Sequence, residues 1–236
     1  MILLRKLALV ISIVFCGSLG LAAAVVAAGG GLGPGIYTFT NKDASAYFVG
    51  PAGQSVSVSV DKGLNSFRPK DPKGPRTVTN STMVSLSLFD DSGYGAYGCF
   101  LISPADFTVG SDLQSARVHT TLTADKVCPG FGEPVDGIKS ASPFTGGGGG
   151  TGLALPINID VTWTGLGVTT TGTDRSTFQC LDYSTQFNSS FSSSNADASG
   201  TMSAITGSLN TTAAVVMSSA NKATVKGNVP PACFPQ

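Results

Sequence analysis

The chain has 236 residues, with 14 Lys or Arg and 14 Asp or Glu, so its formal net charge at pH 7 is zero. A balanced charge gives no general attraction to nucleic acid or to an anionic membrane surface. The length is sufficient for one large domain or two small ones.

The first 28 residues are typical of a signal peptide. Arg5 and Lys6 form a short basic start, and an apolar run leads into small residues, of which Val26 and Ala28 fit a cleavage site before Gly29. Cleavage four residues earlier fits almost as well. The alternative is an uncleaved anchor, since a spanning helix needs roughly 20 apolar residues. We expect a cleaved signal of bacterial composition, which leaves 12 basic and 14 acidic side chains and no second apolar run long enough to cross a membrane.

The mature region is predicted to be all β. Ser, Thr, Gly and Val dominate it, and these residues suit strands better than helix interiors. Strict alternation of polar and apolar residues at 55–60, 84–88 and 157–163 predicts strands with one buried and one solvated face, as in antiparallel sheets. Further strands are predicted at 37–41, 98–103, 117–123, 178–183, 202–209, 213–217 and 223–226. About ten strands separated by turn residues indicate an antiparallel β-sandwich of immunoglobulin-like or jelly-roll-like type.

A basic, proline-rich segment separates the second predicted strand from the third. It contains Arg68, Lys70, Lys73 and Arg76, and its three prolines stiffen it as an extended loop. The plain interpretation is a solvated connection. It is also the most promising place for a specific contact, because a stiff cationic loop would bind an acidic polysaccharide, or the acidic face of another surface protein, at little ordering cost.

Four cysteines remain once the signal is removed: Cys99, Cys128, Cys180 and Cys233. An even number in an exported chain predicts two disulfides, and three pairings are open. We favour Cys99 with Cys128 and Cys180 with Cys233, because the order strand, cysteine strand, strand, cysteine occurs twice. The spacings are unlike those of zinc ligands, so no metal site is predicted.

The repeated order suggests that the mature chain has two similar halves. A glycine-rich stretch at 140–152 is the predicted linker or loop, between an N-terminal β half at 29–139 and a C-terminal β half at 153–236. The gaps between elements differ in the two halves, so duplication and chance similarity both stay open. We favour one continuous structure.

No catalytic or cofactor motif stands out. His119, the single histidine, has polar-face parity in an alternating segment, which predicts a solvated strand residue and not a triad member. Asp90 and Asp91 fit a turn better than a glycosidase carboxylate pair. Trp163 is expected in the core in preference to a sugar-stacking surface, and the serine-rich run at 188–195 is expected to be an exposed loop.

These observations favour a secreted or cell-surface binding or structural module, with no cofactor, no nucleic-acid partner and no catalytic residues. The alternative is a secreted carbohydrate-active hydrolase that uses aspartate carboxylates, which an all-β scaffold could hold. Two carboxyl groups about 5–10 Å apart in a concave cleft would favour the hydrolase.

Overall fold

The structure is a computed structural model that describes residues 33–50, 53–71, 73–89, 95–128, 155–180, 183–205 and 207–226. The predicted signal peptide, the glycine-rich stretch, Asp90, Asp91 and Cys233 lie outside these residues. Among the described residues, no helix is long and apolar enough to cross a membrane.

Nine strands and one short 3-10 turn, η1, make up the described chain. The strands are β1 (Gly35–Val49), β2 (Ser55–Pro69), β3 (Thr77–Phe89), β4 (Gly95–Leu101), β5 (Phe107–Val109), β6 (Ser115–Leu122), β7 (Ile157–Cys180), β8 (Tyr183–Met202) and β9 (Leu209–Val225), and η1 spans Ala124–Lys126. Every pairing between these strands is antiparallel. The prediction of an antiparallel all-β fold is therefore confirmed.

Alternation of side chains explains why these segments are strands. In β2, Val56, Val58 and Val60 are fully buried while the serines between them are half-buried. In β6, buried and exposed residues alternate at every position. Successive side chains of a strand point to opposite faces, so this pattern buries one face against the core and leaves the other to solvent.

The strands form a single sheet in the order β4-β3-β2-β1-β9-β8-β7-β6-β5. The first and last strands, β1 and β9, are neighbours in the middle of this sheet, and Gly35 is paired there with Val225. Strands from both predicted halves thus share one sheet, while the division into halves itself stays a prediction. The finer prediction of an immunoglobulin-like or jelly-roll-like sandwich is not confirmed by this order.

A disulfide and a short bridge bring the two ends of the sheet together. Cys99 in β4 is bonded to Cys128 after η1, with a Cα–Cα distance of 5.3 Å, as predicted. Beside it, Phe100 pairs with Val127 in an isolated antiparallel bridge. The sheet therefore curls over its apolar face. The second predicted disulfide lies outside the described residues, since Cys233 does.

The curled part of the sheet encloses the apolar core. Its largest fully buried side chains include Phe48, Phe100, Phe107 and Trp163. The indole Nε1 of Trp163 donates a hydrogen bond of 3.0 Å to the backbone carbonyl of Ser45. Trp163 is therefore a core residue, as predicted, and its one polar atom is paired.

Six strands continue beyond this core as a polar extension of the sheet. It comprises residues 35–42 of β1, 62–69 of β2, 77–82 of β3, 169–180 of β7, 183–194 of β8 and 218–225 of β9. The serine-rich run at 188–195 lies inside β8, so its prediction as a loop is wrong. The predicted strand at 202–209 is also wrong, because β8 ends at Met202 and β9 begins at Leu209. Hydrogen bonding to β7 and β9 on both sides stabilises the run as a strand without an apolar face of its own.

Candidate functional site

Cross-strand register places a row of polar and cationic side chains on one face of the extension. Directly opposed residues of antiparallel strands point to the same face. The row, called the polar row below, consists of Ser66, Thr38, Lys222, Asn188 and Arg175, one each from β2, β1, β9, β8 and β7. Four interstrand steps give it a length of about 19 Å.

Hydroxyl contacts support this assignment of faces. Thr38 Oγ1 and Ser66 Oγ lie 2.6 Å apart. Beside the polar row, a second row of directly opposed residues consists of Leu64, Thr40, Ala220, Ser190 and Thr173, three of which carry hydroxyl groups. The members of the two rows on β1, β9, β8 and β7 line a surface cavity of about 600 Å³. The extension thus offers hydroxyl, amide and cationic donors side by side.

Charge on this face is of one sign. Lys42 and Lys62 are directly opposed there, between the core and the polar row. Lys62 donates from Nζ to the carbonyl of Pro104 at 2.8 Å. Among the described positions that register assigns to this face of the extension, none is Asp or Glu. Asp174, which borders the cavity, has the opposite parity to Arg175.

The basic segment predicted from the sequence is the hairpin between β2 and β3. Arg68, Lys70, Lys73 and Arg76 are all exposed. Arg68 belongs to β2, and a tight turn follows in which the backbone NH of Lys73 donates to Asp71 Oδ1 at 2.9 Å. Because β2 runs to Pro69 and β3 begins at Thr77, the connection between them is shorter than the loop that was expected.

Two of these four cations reach the face of the polar row. Arg76 donates from Nη2 to Ser66 Oγ, a member of the row, at 3.3 Å. Arg68 is opposed to Ile36, which has the parity of Thr38 and so points the same way. Lys70 and Lys73 occupy the hairpin tip. The structure thus places two of the four predicted cations, Arg68 and Arg76, on the same face of the sheet as the polar row.

Sequence reasoning missed Arg175 and Lys222. Each is a single cation in a Ser/Thr-rich strand, and 47 positions separate them along the chain. Only the registers of β7, β8 and β9 place them in one row. The only sequence signal for these two residues was that each is a lone cation in a stretch where polar and apolar residues do not alternate.

A second cavity, of about 730 Å³, lies near the core end and contains the single histidine. His119 has 73% of its side chain exposed, and its Nδ1 lies 3.3 Å from Asp160 Oδ2. Arg117 donates to both oxygens of Asp160, at 3.0 and 2.8 Å. These hydrogen bonds lower the pKa of Asp160, so this carboxylate is a stable anion that holds Arg117 and His119.

Other polar side chains of this cavity are engaged with one another. Thr120 Oγ1 donates to Asp106 Oδ2 at 2.8 Å. Ser203 Oγ accepts the backbone NH of Asn158 at 3.0 Å. Among the described residues, no hydroxyl is hydrogen-bonded to His119. The arrangement therefore lacks the nucleophile–base contact on which Ser–His chemistry depends.

Comparisons with known proteins add little. No family model matches the chain, and no curated protein matches it. One solved structure, a protein from Nitrosomonas europaea provisionally assigned as AttH, is similar over 82% of this chain, at 10% sequence identity and a TM-score of 0.36. The chain spans about half the length of that protein, 52%. A likeness at this level carries no argument about fold or function.

Proposed function

We propose that this chain is a secreted or cell-surface module that binds an acidic polysaccharide across the polar row and the adjoining hairpin. The observation that carries the proposal is the alignment of Lys222 and Arg175 with Arg76 and Arg68 on one face of the sheet. Export is supported by the signal-like N-terminus and by the Cys99–Cys128 disulfide, since disulfides persist in oxidising compartments.

The chemistry of the surface fits an anionic sugar polymer. Guanidinium groups bind carboxylate or sulfate oxygens through paired hydrogen bonds. Thr38, Thr40, Ser190 and Asn188 supply donors and acceptors suited to sugar hydroxyls. Because the cations are spread over about 19 Å, a repeating polymer would engage more of them than a single small anion.

Single-stranded nucleic acid is a poorer fit for this surface. Such ligands gain much of their affinity from bases stacked on aromatic rings. In the extension, Tyr37 and Phe67 are stacked on each other with ring centroids 4.4 Å apart. Their parity places them, with Phe39, on the face opposite the polar row. The row itself is built from hydroxyl, amide and cationic groups.

Retention on a heparin-type column tests the proposal. The variant Arg175→Ser/Lys222→Ser should elute at clearly lower salt than the wild type, because two contacts of the row are lost. The matched control Arg117→Ser/Lys126→Ser removes the same charge near the second cavity and should elute with the wild type. Equal elution of both double variants would mean that retention follows net charge alone, and the polar row would lose its assigned role.

The hydrolase alternative has one supporting observation. Asp106 and Asp160 both line the second cavity, beside His119. A general acid, however, needs a carboxyl that stays protonated near neutral pH, and Arg117 lowers the pKa of Asp160. Release of reducing ends from acidic polysaccharides, abolished by Asp160→Asn, would favour the enzyme over the binding module.

The sandwich prediction is retained as part of this proposal. Phe48 of β1, Phe107 of β5 and Trp163 of β7 are all fully buried in one cluster, although these strands are not neighbours in the sheet. We infer that opposite parts of the curled sheet face each other across this core as the two layers of a sandwich.

A further inference from the structure

Cationic and neutral side chains alternate along the polar row. In the order β2, β1, β9, β8 and β7, the groups presented are those of Arg76, which donates to Ser66, then Thr38, Lys222, Asn188 and Arg175. Consecutive cations are therefore two interstrand steps apart. Since neighbouring strands are about 4.8 Å apart, a cation recurs about every 10 Å across the strands.

The two neutral positions of the row offer hydrogen bonds without charge. Asn188 is exposed, and its amide can both donate and accept. Thr38 Oγ1 lies 2.6 Å from Ser66 Oγ, and a hydroxyl in one hydrogen bond can still accept another. The cation on β1 that shares this face, Lys42, is four residues from Thr38, about 13 Å along the strand. A ligand group above either neutral position therefore meets a hydroxyl or an amide and no cation of its own.

The surroundings of the row favour a linear ligand that lies across the strands. Thr38 has the same parity as Ala44, which is fully buried, so the face that carries the row becomes the core further along the strands. The core therefore closes this face in the strand direction. Across the strands the face is open at β7, because β6 pairs with β7 only as far as Thr164, and no described strand continues the sheet beside the later residues of β7.

We propose that the polar row selects an acidic polysaccharide whose acidic groups recur on every second sugar, with its chain lying across the strands. This inference rests on the proposed function and names the ligand class for the same site. Each sugar of an extended pyranose chain advances by about one interstrand spacing. Acidic groups on alternate sugars therefore meet a cation at each charged position of the row, and the neutral sugars between them meet Thr38 and Asn188.

A chain with a carboxylate on every sugar fits this row less well. Two of its carboxylates would lie over Thr38 and Asn188, between neighbouring carboxylates and without a cation of their own. Complementary placement of charges decides the choice between ligands, whereas unpaired charges count against the wrong one. General charge attraction predicts the opposite order, because the more highly charged chain would bind more tightly. The two explanations can therefore be separated by experiment.

Displacement of the purified protein from immobilised heparin by hexasaccharides tests this selection. A hyaluronan hexasaccharide carries a carboxylate on every second sugar, and a galacturonate hexasaccharide carries one on every sugar. The hyaluronan hexasaccharide should displace half of the protein at a concentration about two- to tenfold lower, since each of two unpaired carboxylates costs about as much as one exposed ion pair contributes. An equal or lower concentration for the galacturonate hexasaccharide would overturn the proposal.

A cation added at a neutral position should shift the preference. Asn188→Lys places a charge between Lys222 and Arg175, so displacement by the galacturonate hexasaccharide should improve more than displacement by the hyaluronan hexasaccharide. The matched control Ser199→Lys adds the same charge at an exposed position of β8 near the core and should leave the ratio of the two concentrations unchanged. The Tm of each variant verifies that it folds. The same change of ratio in both variants would contradict the assigned role of Asn188.

The failure of this inference differs from the failure of the proposed function. A wild-type protein that heparin does not retain would overturn both proposals. Retention that is lost in Arg175→Ser/Lys222→Ser, together with a preference for the galacturonate hexasaccharide, would confirm the polar row as the binding surface and overturn only the selection for alternate acidic sugars.

Discussion

Asp43 of β1 and Asp61 of β2 are directly opposed in the register, and this carboxylate pair leads to a quantitative prediction of how stability depends on pH. An unperturbed Asp has a pKa of 3.8, and Asp43 in the fold has a pKa of about 7. The folded state therefore binds this proton more tightly than the unfolded state. The contribution of Asp43 to the free energy of unfolding is therefore most favourable below pH 4, and it becomes less favourable as the pH rises towards 7. Each pKa unit corresponds to about 1.4 kcal/mol, so the full penalty at pH 8 is about 2–4 kcal/mol after allowance for partial solvation.

Replacing Asp43 with Asn should remove most of this penalty. The amide cannot ionise, still offers an oxygen to Asn41 Nδ2, and relieves the repulsion on Asp61. We expect the free energy of unfolding of Asp43→Asn to exceed that of the wild type by about 2–4 kcal/mol at pH 8 and to match it at pH 4.

Urea unfolding, followed by fluorescence, is the measurement. Trp163 is the single tryptophan and is fully buried, so its emission reports loss of the core. The control Asp174→Asn changes an exposed carboxylate and should follow the wild-type pH profile. Parallel profiles for the wild type and Asp43→Asn from pH 4 to 8 would refute the reasoning, because they would mean that Asp43 ionises normally in the fold.

Four further predictions concern the core, the two disulfides and export. Trp163→Ala should lower the free energy of unfolding by about 3–5 kcal/mol, measured by urea denaturation followed by circular dichroism; a loss below 1 kcal/mol would contradict full burial. Changing both Cys99 and Cys128 to Ser should cost about 3–4 kcal/mol for a loop of 29 residues, and an unchanged Tm would mean that the loop is constrained without the bond. Intact-mass analysis of protein from culture medium should show a start at Gly29 or four residues earlier, whereas a full-length species held in membranes would contradict the signal peptide. Non-reducing peptide mapping of the same material should find the other two mature cysteines joined.

Local alternation was enough to predict the strands that border the core. Val56, Val58 and Val60 alternate with serine in the sequence and point into the core in the structure. The same holds for β6 and for the start of β7. In these segments each apolar residue has a polar neighbour on both sides, so burial of one face fixes both the strand and its orientation.

The polar extension could not be predicted in the same way. The alternating segment at 157–163 gave only the first part of β7, which continues to Cys180. Beyond the core, β7 and β8 consist largely of Ser and Thr, whose composition is equally typical of loops. Pairing with neighbouring strands, and not a local apolar pattern, keeps these residues extended. That pairing is also what creates the polar row, which therefore depends on the registers of β9, β8 and β7 with strands that are distant in the chain.

The meeting of the first and last strands has a mechanical consequence. Gly35 and Val225 face each other at one end of the β1–β9 ladder. A force that separates these two residues would open the ladder one pair at a time, like a zipper, because successive hydrogen bonds are loaded in sequence and not together. The fold should therefore yield at low force along this direction.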